Sequence, residues 1–129
     1  MESLDMVERK EYLDWLIQWK DENVIKVVTG IRRCGKSTLL YQFQDWLTKN
    51  GILTKQIVSL NFEELEYEEL QNYQKLYAYL KNRLCTNKKT YIFLDEIQKV
   101  NGFEKVVDSL YTTGCRYLYY GIECLHVFW

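Results

Sequence analysis

The chain has 129 residues and a formal net charge of -1 at pH 7, with 47% hydrophobic and 27% charged residues. This balance is typical of a soluble globular domain, and the near-neutral charge disfavours broad attraction to nucleic acid or membranes. No apolar run approaches the roughly 18 residues that a spanning helix needs, and the charged start MESLDMVERK does not resemble a signal peptide. We therefore expect one cytoplasmic domain without a membrane partner.

The first part of the chain predicts a helix, a strand and a second helix. Apolar and aromatic residues recur at helical spacing through EYLDWLIQWK, within an N-terminal helical segment that we place at residues 1–23. The β-branched run VIKVVTG predicts a buried strand that ends at Gly30. The next periodic stretch predicts a helix from about Ser37 to Lys49, and the Asn-Gly pair that ends at Gly51 stops it.

The middle of the chain continues the alternation of strands and helices. QIVSLNF is a second predicted strand, and EELEYEEL, with five glutamates in eight residues, is interpreted as a solvated face. Tyrosines and leucines repeat every three or four positions from Tyr73 to Leu84, which predicts a helix with its tyrosines in the core. YIFLDE is a third strand and FEKVVDSLY a short helix. This order predicts an α/β fold with a parallel sheet covered on both faces.

The cysteines stand far apart, at Cys34, Cys85, Cys115 and Cys124. No two of them form a C-x-x-C pair, so the spacing predicts neither a disulfide framework nor a zinc site. Cys115, Cys124 and His126 are the candidate metal ligands near the end of the chain, but they lack a standard ligand spacing. Apolar filler is the better interpretation of this aromatic-rich tail.

One motif carries a specific chemical prediction. GIRRCGKS fits the G-x-x-x-x-G-K-[ST] pattern of a phosphate-binding loop, and it lies between a predicted strand and a predicted helix, as that loop requires. Backbone N–H groups of such a loop surround a polyphosphate, so glycines occupy positions where a side chain would obstruct the turn or the ligand. The predicted nucleotide-binding residues are Gly30, Ile31, Arg32, Arg33, Cys34, Gly35, Lys36, Ser37 and Thr38.

Individual residues of this loop have distinct predicted roles. Lys36 would reach the β and γ phosphates, and the Ser37 hydroxyl would bind Mg2+. Thr38 would support the first helical turn, where the helix N-terminus adds partial positive charge. Arg32 and Arg33 are more simply interpreted as solvated loop residues, with contacts to phosphate or to a neighbouring subunit as the alternative.

The third predicted strand ends in two carboxylates that would complete the site. Asp95 can bind Mg2+ through water, and Glu96 can polarise an attacking water as a general base. We therefore predict Glu96 and Lys36 as catalytic residues, and Ser37 and Asp95 as metal ligands. Two adjacent carboxylates favour hydrolysis over mere binding, although without the phosphate loop they would be interpreted as an exposed strand end.

The strings IKVVTGIRRCGKSTLL, VSLNFEELEYEEL and YIFLDEIQKVNGFEKVVDSLY together resemble a family of bacterial and archaeal ATP-binding proteins. These have an N-terminal AAA-type ATPase domain and a C-terminal domain of unknown function. The resemblance covers about residues 7–111 and implies an AAA-like parallel-sheet P-loop NTPase fold with ATP and Mg2+ as ligands. Because such proteins are several times longer than the phosphate-loop half alone, we expect an incomplete version, with an ATPase core at residues 24–111.

Residues 112–129 depart from this family. Where its members have a sensor strand resembling DIYITGSNAYM, whose asparagine senses the γ-phosphate, this chain has RYLYYGIECLHVF. Codons TAC GGG ATC GAA TGC for residues 120–124, read one base later, encode T-G-S-N-A. Codons CGA TAT CTA TAT for residues 116–119, shifted in the same way and with the next base included, encode D-I-Y-I. We therefore predict a frameshifted tail whose YLYY still suits a strand. The family implies that the sensor strand lies between the phosphate-loop strand and the strand bearing Asp95.

Three functional hypotheses follow. The first is a truncated ATPase domain that binds Mg-ATP weakly with little or no hydrolysis, because the family's sensor, lid and arginine finger are missing. The second is a short nucleotide-binding module that pairs with a longer homologue or with itself. The third is a small P-loop kinase, which the Asp95-Glu96 pair and the lack of a lid with phosphate-clamping arginines disfavour. A DNA or protein client stays open.

Overall fold

The computed structural model describes residues 2–20, 26–30, 36–85, 88–113 and 118–123. The helices are α1 (Glu2–Gln18), α2 (Lys36–Lys49), α3 (Tyr73–Lys81) and α4 (Phe103–Thr112), and the strands are β1 (Lys26–Gly30), β2 (Ile57–Asn61), β3 (Tyr91–Asp95) and β4 (Leu118–Glu123). Short 3-10 turns span Thr54–Gln56, Leu65–Gln71 and Ile97–Lys99. Strands and helices alternate as the sequence predicts, although α1 begins earlier than its EYLDWLIQWK core.

The strands form one parallel sheet in the order β1-β4-β3-β2. The α/β class with a parallel sheet is therefore confirmed. β4 pairs with β1 on one side and with β3 on the other, so tail residues 118–123 supply an interior strand. This is the sheet position that the family resemblance implies for the sensor strand.

Helices cover the sheet on both faces. On one face α3 and α4 pack through Leu76, Leu80, Val106, Val107 and Leu110 against Val58, Leu60, Ile92 and Leu94. On the other face α1 and α2 pack through Leu16, Leu39, Leu40, Phe43 and Leu47 against Tyr91, Phe93 and Tyr119. Successive side chains of β3 thus enter opposite cores, and all five of its residues are buried, which explains its continuous apolar sequence.

Tyr119 of β4 lies at the centre of the second core and is 0% exposed. Its ring stacks on Phe93 with the centroids 4.8 Å apart, and the Phe43 ring lies 5.0 Å away. The Tyr119 hydroxyl donates to the Lys20 carbonyl at 3.3 Å, and Lys26 Nζ lies 5.2 Å from the ring centroid. One tail residue of β4 therefore contacts α2, β1, β3 and the turn that follows α1.

The tyrosines of α3 depart from the prediction that they lie in the core. Leu76 and Leu80 are completely buried, whereas Tyr73 and Tyr77 are only partly buried at the margin of the first core. A tyrosine can bury its ring edge while its hydroxyl stays in water, which favours this margin. The helix also ends at Lys81 instead of continuing to Leu84.

The acidic segment EELEYEEL is solvated, as predicted. All five of its glutamates are exposed, while Tyr67 and Leu70 pack partly against the first core. A side-chain hydrogen bond between two of these carboxyls, Glu64 and Glu66, raises the pKa of Glu64. The segment therefore behaves as a surface, and its two apolar residues fasten it to the domain.

Gly51 ends α2 in a left-handed conformation, with φ at +96°. The Ile52 N–H closes the helix by donating to the Leu47 carbonyl at 3.0 Å. We expect Gly51→Ala to lower the free energy of unfolding by about 1 kcal/mol, because a Cβ disfavours this backbone. Gly51→Asn should cost less, because asparagine tolerates the conformation. Urea unfolding would test both variants, and equal losses for alanine and asparagine would contradict this explanation.

Candidate functional site

The carboxyl ends of the strands meet at one edge of the parallel sheet. Gly30, the last residue of β1, pairs with Glu123 of β4, and Asp95, the last residue of β3, pairs with Gly121 of β4. The end of β1 and the end of β3 are thus separated by a single strand. Ligands of open α/β sheets bind at this type of edge, and the sequence-predicted site residues come from both of these strand ends.

The phosphate-loop motif spans the connection between β1 and α2. β1 ends at Gly30 and α2 begins at Lys36, which gives the strand, loop and helix arrangement that the motif needs. Lys36 and Ser37 are the first residues of α2, and the exposed Thr38 follows them. The predicted ligands Ile31, Arg32, Arg33, Cys34 and Gly35 lie outside the described residues. The helix N-terminus therefore lies beyond the carboxyl end of β1.

Asp95 and Glu96 are both buried, at 5% and 3% exposure. This burial contradicts the alternative of an exposed strand end. The Asp95 backbone carbonyl accepts from the Phe62 N–H at 3.1 Å, which fixes the end of β3 against the residue after β2. Buried carboxylates are costly unless they are paired, hydrogen-bonded or bound to a metal, so two in succession indicate a specialised environment.

The backbone at Glu96 is also unusual. With φ at 58° and ψ at 40°, Glu96 has a left-handed conformation, and it is the only non-glycine residue with positive φ within the described ranges. Such conformations carry strain and cluster at functional sites. The turn Ile97–Lys99 follows, and the fully buried Ile97 anchors it in the core.

Gln98 is the site residue that the sequence reasoning missed. Its Nε2 donates to Glu96 Oε2. The signal that could have revealed it is a polar residue two positions after Glu96, between the apolar positions Ile97 and Val100. A glutamine whose neighbours anchor a turn in the core is well placed to contact the preceding carboxylate.

The oxygen ligands among the described residues suit a Mg2+ ion that waters and phosphates also bind, rather than a metal ion held by protein side chains alone. Within the described residues, no group of three or more His, Cys, Asp or Glu side chains could hold a metal ion. Mg2+ characteristically binds through one or two protein oxygens, with waters and substrate phosphates completing its shell. The buried Asp95 carboxylate at the sheet edge and a serine in the first turn of α2 fit that pattern.

β4 completes this edge with residues from the tail. Tyr120 lies next to Leu94 of β3 in the register. Burial, followed by the charges of Glu104 and Asp108, raises the pKa of Tyr120. The register places Glu123 beside Gly30, where the one-base reading of the tail would give the family's sensor asparagine.

Residues 22–122 match the protein family described as AAA domain. The chain belongs to this AAA domain family. The matched range runs from the segment before β1 into β4, and it includes the phosphate-loop motif and both buried carboxylates. Fold and family together associate the domain with ATP, because the AAA domain is a nucleotide-binding unit.

The chain also resembles part of a longer bacterial protein. An uncharacterized protein of Haemophilus influenzae is 42% identical over 106 residues, which are 81% of this chain and 26% of the relative. The chain therefore spans about a quarter of the length of this curated relative. No solved structure matches the chain. Across the described residues, no helix combines the length and apolar character needed to cross a membrane.

Proposed function

We propose that this AAA domain binds Mg-ATP at the carboxyl edge of its sheet, with little or no hydrolysis by the domain alone. The observation that carries the proposal is the meeting of two features at that edge. β1 ends at that edge with Gly30, the first residue of the phosphate-loop motif, and β3 brings the buried Asp95 and Glu96 there. One β-strand separates the two features, which suits a ligand that contacts phosphate-binding N–H groups on one side and carboxylates on the other.

Each residue has a role that its position supports. The N–H groups of the loop and of the first turn of α2 bind the phosphates, and Lys36 contacts the β and γ phosphates. Ser37 and Asp95 hold Mg2+, Asp95 through a water. Glu96 accepts a proton from the attacking water. When bound, Mg2+ supplies positive charge that offsets the charge of the phosphates.

Slow turnover follows from what the tail places beside the loop. In the family that the chain resembles, an asparagine of the sensor strand senses the γ-phosphate. Here Glu123 of β4 stands at that position, next to Gly30 of β1 in the sheet register. An arginine supplied by a neighbouring subunit can be worth about 10³ to 10⁵ in rate in related NTPases. We therefore expect binding to survive and hydrolysis to depend on a partner.

The partner that we propose is a longer family member. The curated relative is about four times as long as the part that matches this chain. The family resemblance implies that such longer proteins carry a further C-terminal domain. Pairing with such a protein, or with a second copy, could place an arginine at the γ-phosphate. A DNA or protein client would then be bound by the longer protein. Co-purification of this chain with the homologue would support the pairing.

The metal-ligand assignment gives a direct test of the proposed function. For the wild-type chain we expect ATP affinity to fall about tenfold or more when EDTA replaces Mg2+, because the cation links Asp95 to the phosphates. Asp95→Asn keeps the shape of the side chain but removes its charge, so it should abolish most of this Mg2+ dependence. Calorimetric titration with ATP in both buffers would measure the effect.

The control for this test is Asp108→Asn, which removes an exposed carboxylate on α4. It should retain the full Mg2+ dependence of the wild type. If Asp95→Asn also retained it, Asp95 would not hold the metal. If neither the wild type nor Asp108→Asn bound ATP, the proposed function itself would be wrong.

A further inference from the structure

Gln98 is held against the proposed general base by the turn that follows β3. The left-handed backbone at Glu96 redirects the chain, and the buried Ile97 fixes the turn in the core. Two residues after Glu96, the Gln98 side chain therefore lies alongside the Glu96 carboxylate, and its Nε2 donates to Glu96 Oε2. This contact orients a carboxylate that is itself only 3% exposed.

The oxygen of the same amide lacks a hydrogen-bond partner among the described residues. This atom, Gln98 Oε1, is nevertheless buried. Nearly all buried polar side-chain atoms in proteins have such a partner, so an unsatisfied buried acceptor calls for an explanation. The amide that fixes Glu96 with its nitrogen thus offers an acceptor oxygen next to the proposed base.

We propose that Gln98 and Glu96 together hold the water that attacks ATP. The water donates one hydrogen bond to Gln98 Oε1 and the other to the Glu96 carboxylate, so its lone pair can face the γ-phosphorus. As the water oxygen bonds to phosphorus, its proton passes to Glu96. The bond between the γ-phosphorus and the β,γ-bridging oxygen breaks, and ADP leaves with that electron pair.

This role rests on the proposed function, because it needs ATP at the sheet edge and Glu96 as the base. A purely structural role of Gln98 and a role in holding water predict different effects on nucleotide binding. A glutamine that only supports the turn would affect folding and would affect all nucleotides alike. A glutamine that holds the attacking water would act on the transition state, and ADP binding would be almost independent of it.

The test uses an analogue, so it does not need measurable turnover. Mg-ADP with aluminium fluoride mimics the transferring phosphoryl group together with its in-line water. The wild-type chain should bind this complex more tightly than Mg-ADP alone. Gln98→Leu should reduce that preference about tenfold or more while changing the affinity for ADP less than about twofold. Titration calorimetry on the full chain would give both affinities.

Two further variants sharpen the result. Gln71→Leu removes another part-buried glutamine, whose Nε2 donates to the Phe62 carbonyl at 3.2 Å, and it should keep the wild-type preference. Gln98→Glu keeps the size of the side chain but cannot donate to Glu96 as a carboxylate. It should lose the preference, and it provides the test if Gln98→Leu fails to fold.

The outcomes separate the two proposals. If the Gln98 variants keep the wild-type preference for the fluoride complex, the role of Gln98 is overturned and the proposed function stands. The same holds if the wild type binds ADP and gains no affinity from aluminium fluoride. If the wild type binds neither nucleotide complex, the proposed function fails, and the role of Gln98 fails with it.

Discussion

Lys36→Ala is expected to lower the affinity for Mg-ATP by about 100-fold, which would abolish detectable binding if the wild type binds weakly. Lys36 is the first residue of α2, immediately after the phosphate loop. Its ammonium is the proposed contact to the β and γ phosphates, and hydrogen bonds between charged groups contribute about 1.5 to 3 kcal/mol each. Fluorescence titration with a labelled ATP analogue would measure the loss.

The matched control removes the same charge from the other end of the same helix. Lys49 lies in the last turn of α2 and pairs with Asp45 at 2.9 Å, with 74% of its side chain exposed. Lys49→Ala should leave ATP affinity unchanged and barely alter stability, because exposed ion pairs are screened by solvent. Equal affinities of the Lys36 and Lys49 variants would show that the nucleotide does not bind at the start of α2.

Tyr119→Ala is expected to cause the largest loss of stability, about 3 to 5 kcal/mol in unfolding free energy. The Tyr119 side chain is 0% exposed, and its ring contacts Phe43 and Phe93. Removing it would leave a cavity in the core and break the hydroxyl contact to the Lys20 carbonyl in the turn after α1. Guanidinium unfolding followed by circular dichroism would measure the change, and many molecules of the variant would be unfolded at 37 °C.

Tyr12→Ala is the control for this variant, because Tyr12 is 59% exposed on α1. It should change the free energy of unfolding by no more than about 0.5 kcal/mol. If Tyr119→Ala were as stable as this control, β4 would not be the interior strand of the sheet. The comparison therefore tests whether the divergent tail contributes to the fold.

Much of the fold could be predicted from local sequence patterns. The run VIKVVTG before GIRRCGKS, and the amphipathic stretch after it, indicate β1 and α2 because each pattern is local and strong. YIFLDE indicates a strand buried on both faces, and β3 is one. The alternation of elements then brings the phosphate loop and Asp95 to one edge, because parallel strands end on the same side of the sheet.

Other features depend on packing between distant segments, which local patterns do not contain. The left-handed backbone at Glu96 follows from fixing both the end of β3 and the buried Ile97, and the contact with Gln98 follows from that turn. The sequence pattern overestimates the burial of Tyr73 and Tyr77, because helical periodicity does not distinguish the centre of a core from its margin.

In the tail, one feature could be predicted from local sequence and another depends on packing between distant segments. Its YLYY composition suits a strand, and in β4 Tyr119 enters one core while Tyr120 packs against the other. Composition alone could not show that Tyr119 would fill the space between Phe43 and Phe93. The frameshift hypothesis concerns the gene and stays a prediction. Resequencing the codons for residues 110–129 would test it, and a one-base shift that restores D-I-Y-I-T-G-S-N-A would support it.

The most direct test of the account is a crystal structure of the chain grown with Mg2+ and a non-hydrolysable ATP analogue. We predict that the phosphates lie at the N-terminus of α2, beside Lys36, with Mg2+ between the γ-phosphate, Ser37 and Asp95. A nucleotide bound elsewhere on the domain, or phosphates distant from both Lys36 and Asp95, would contradict the proposed site.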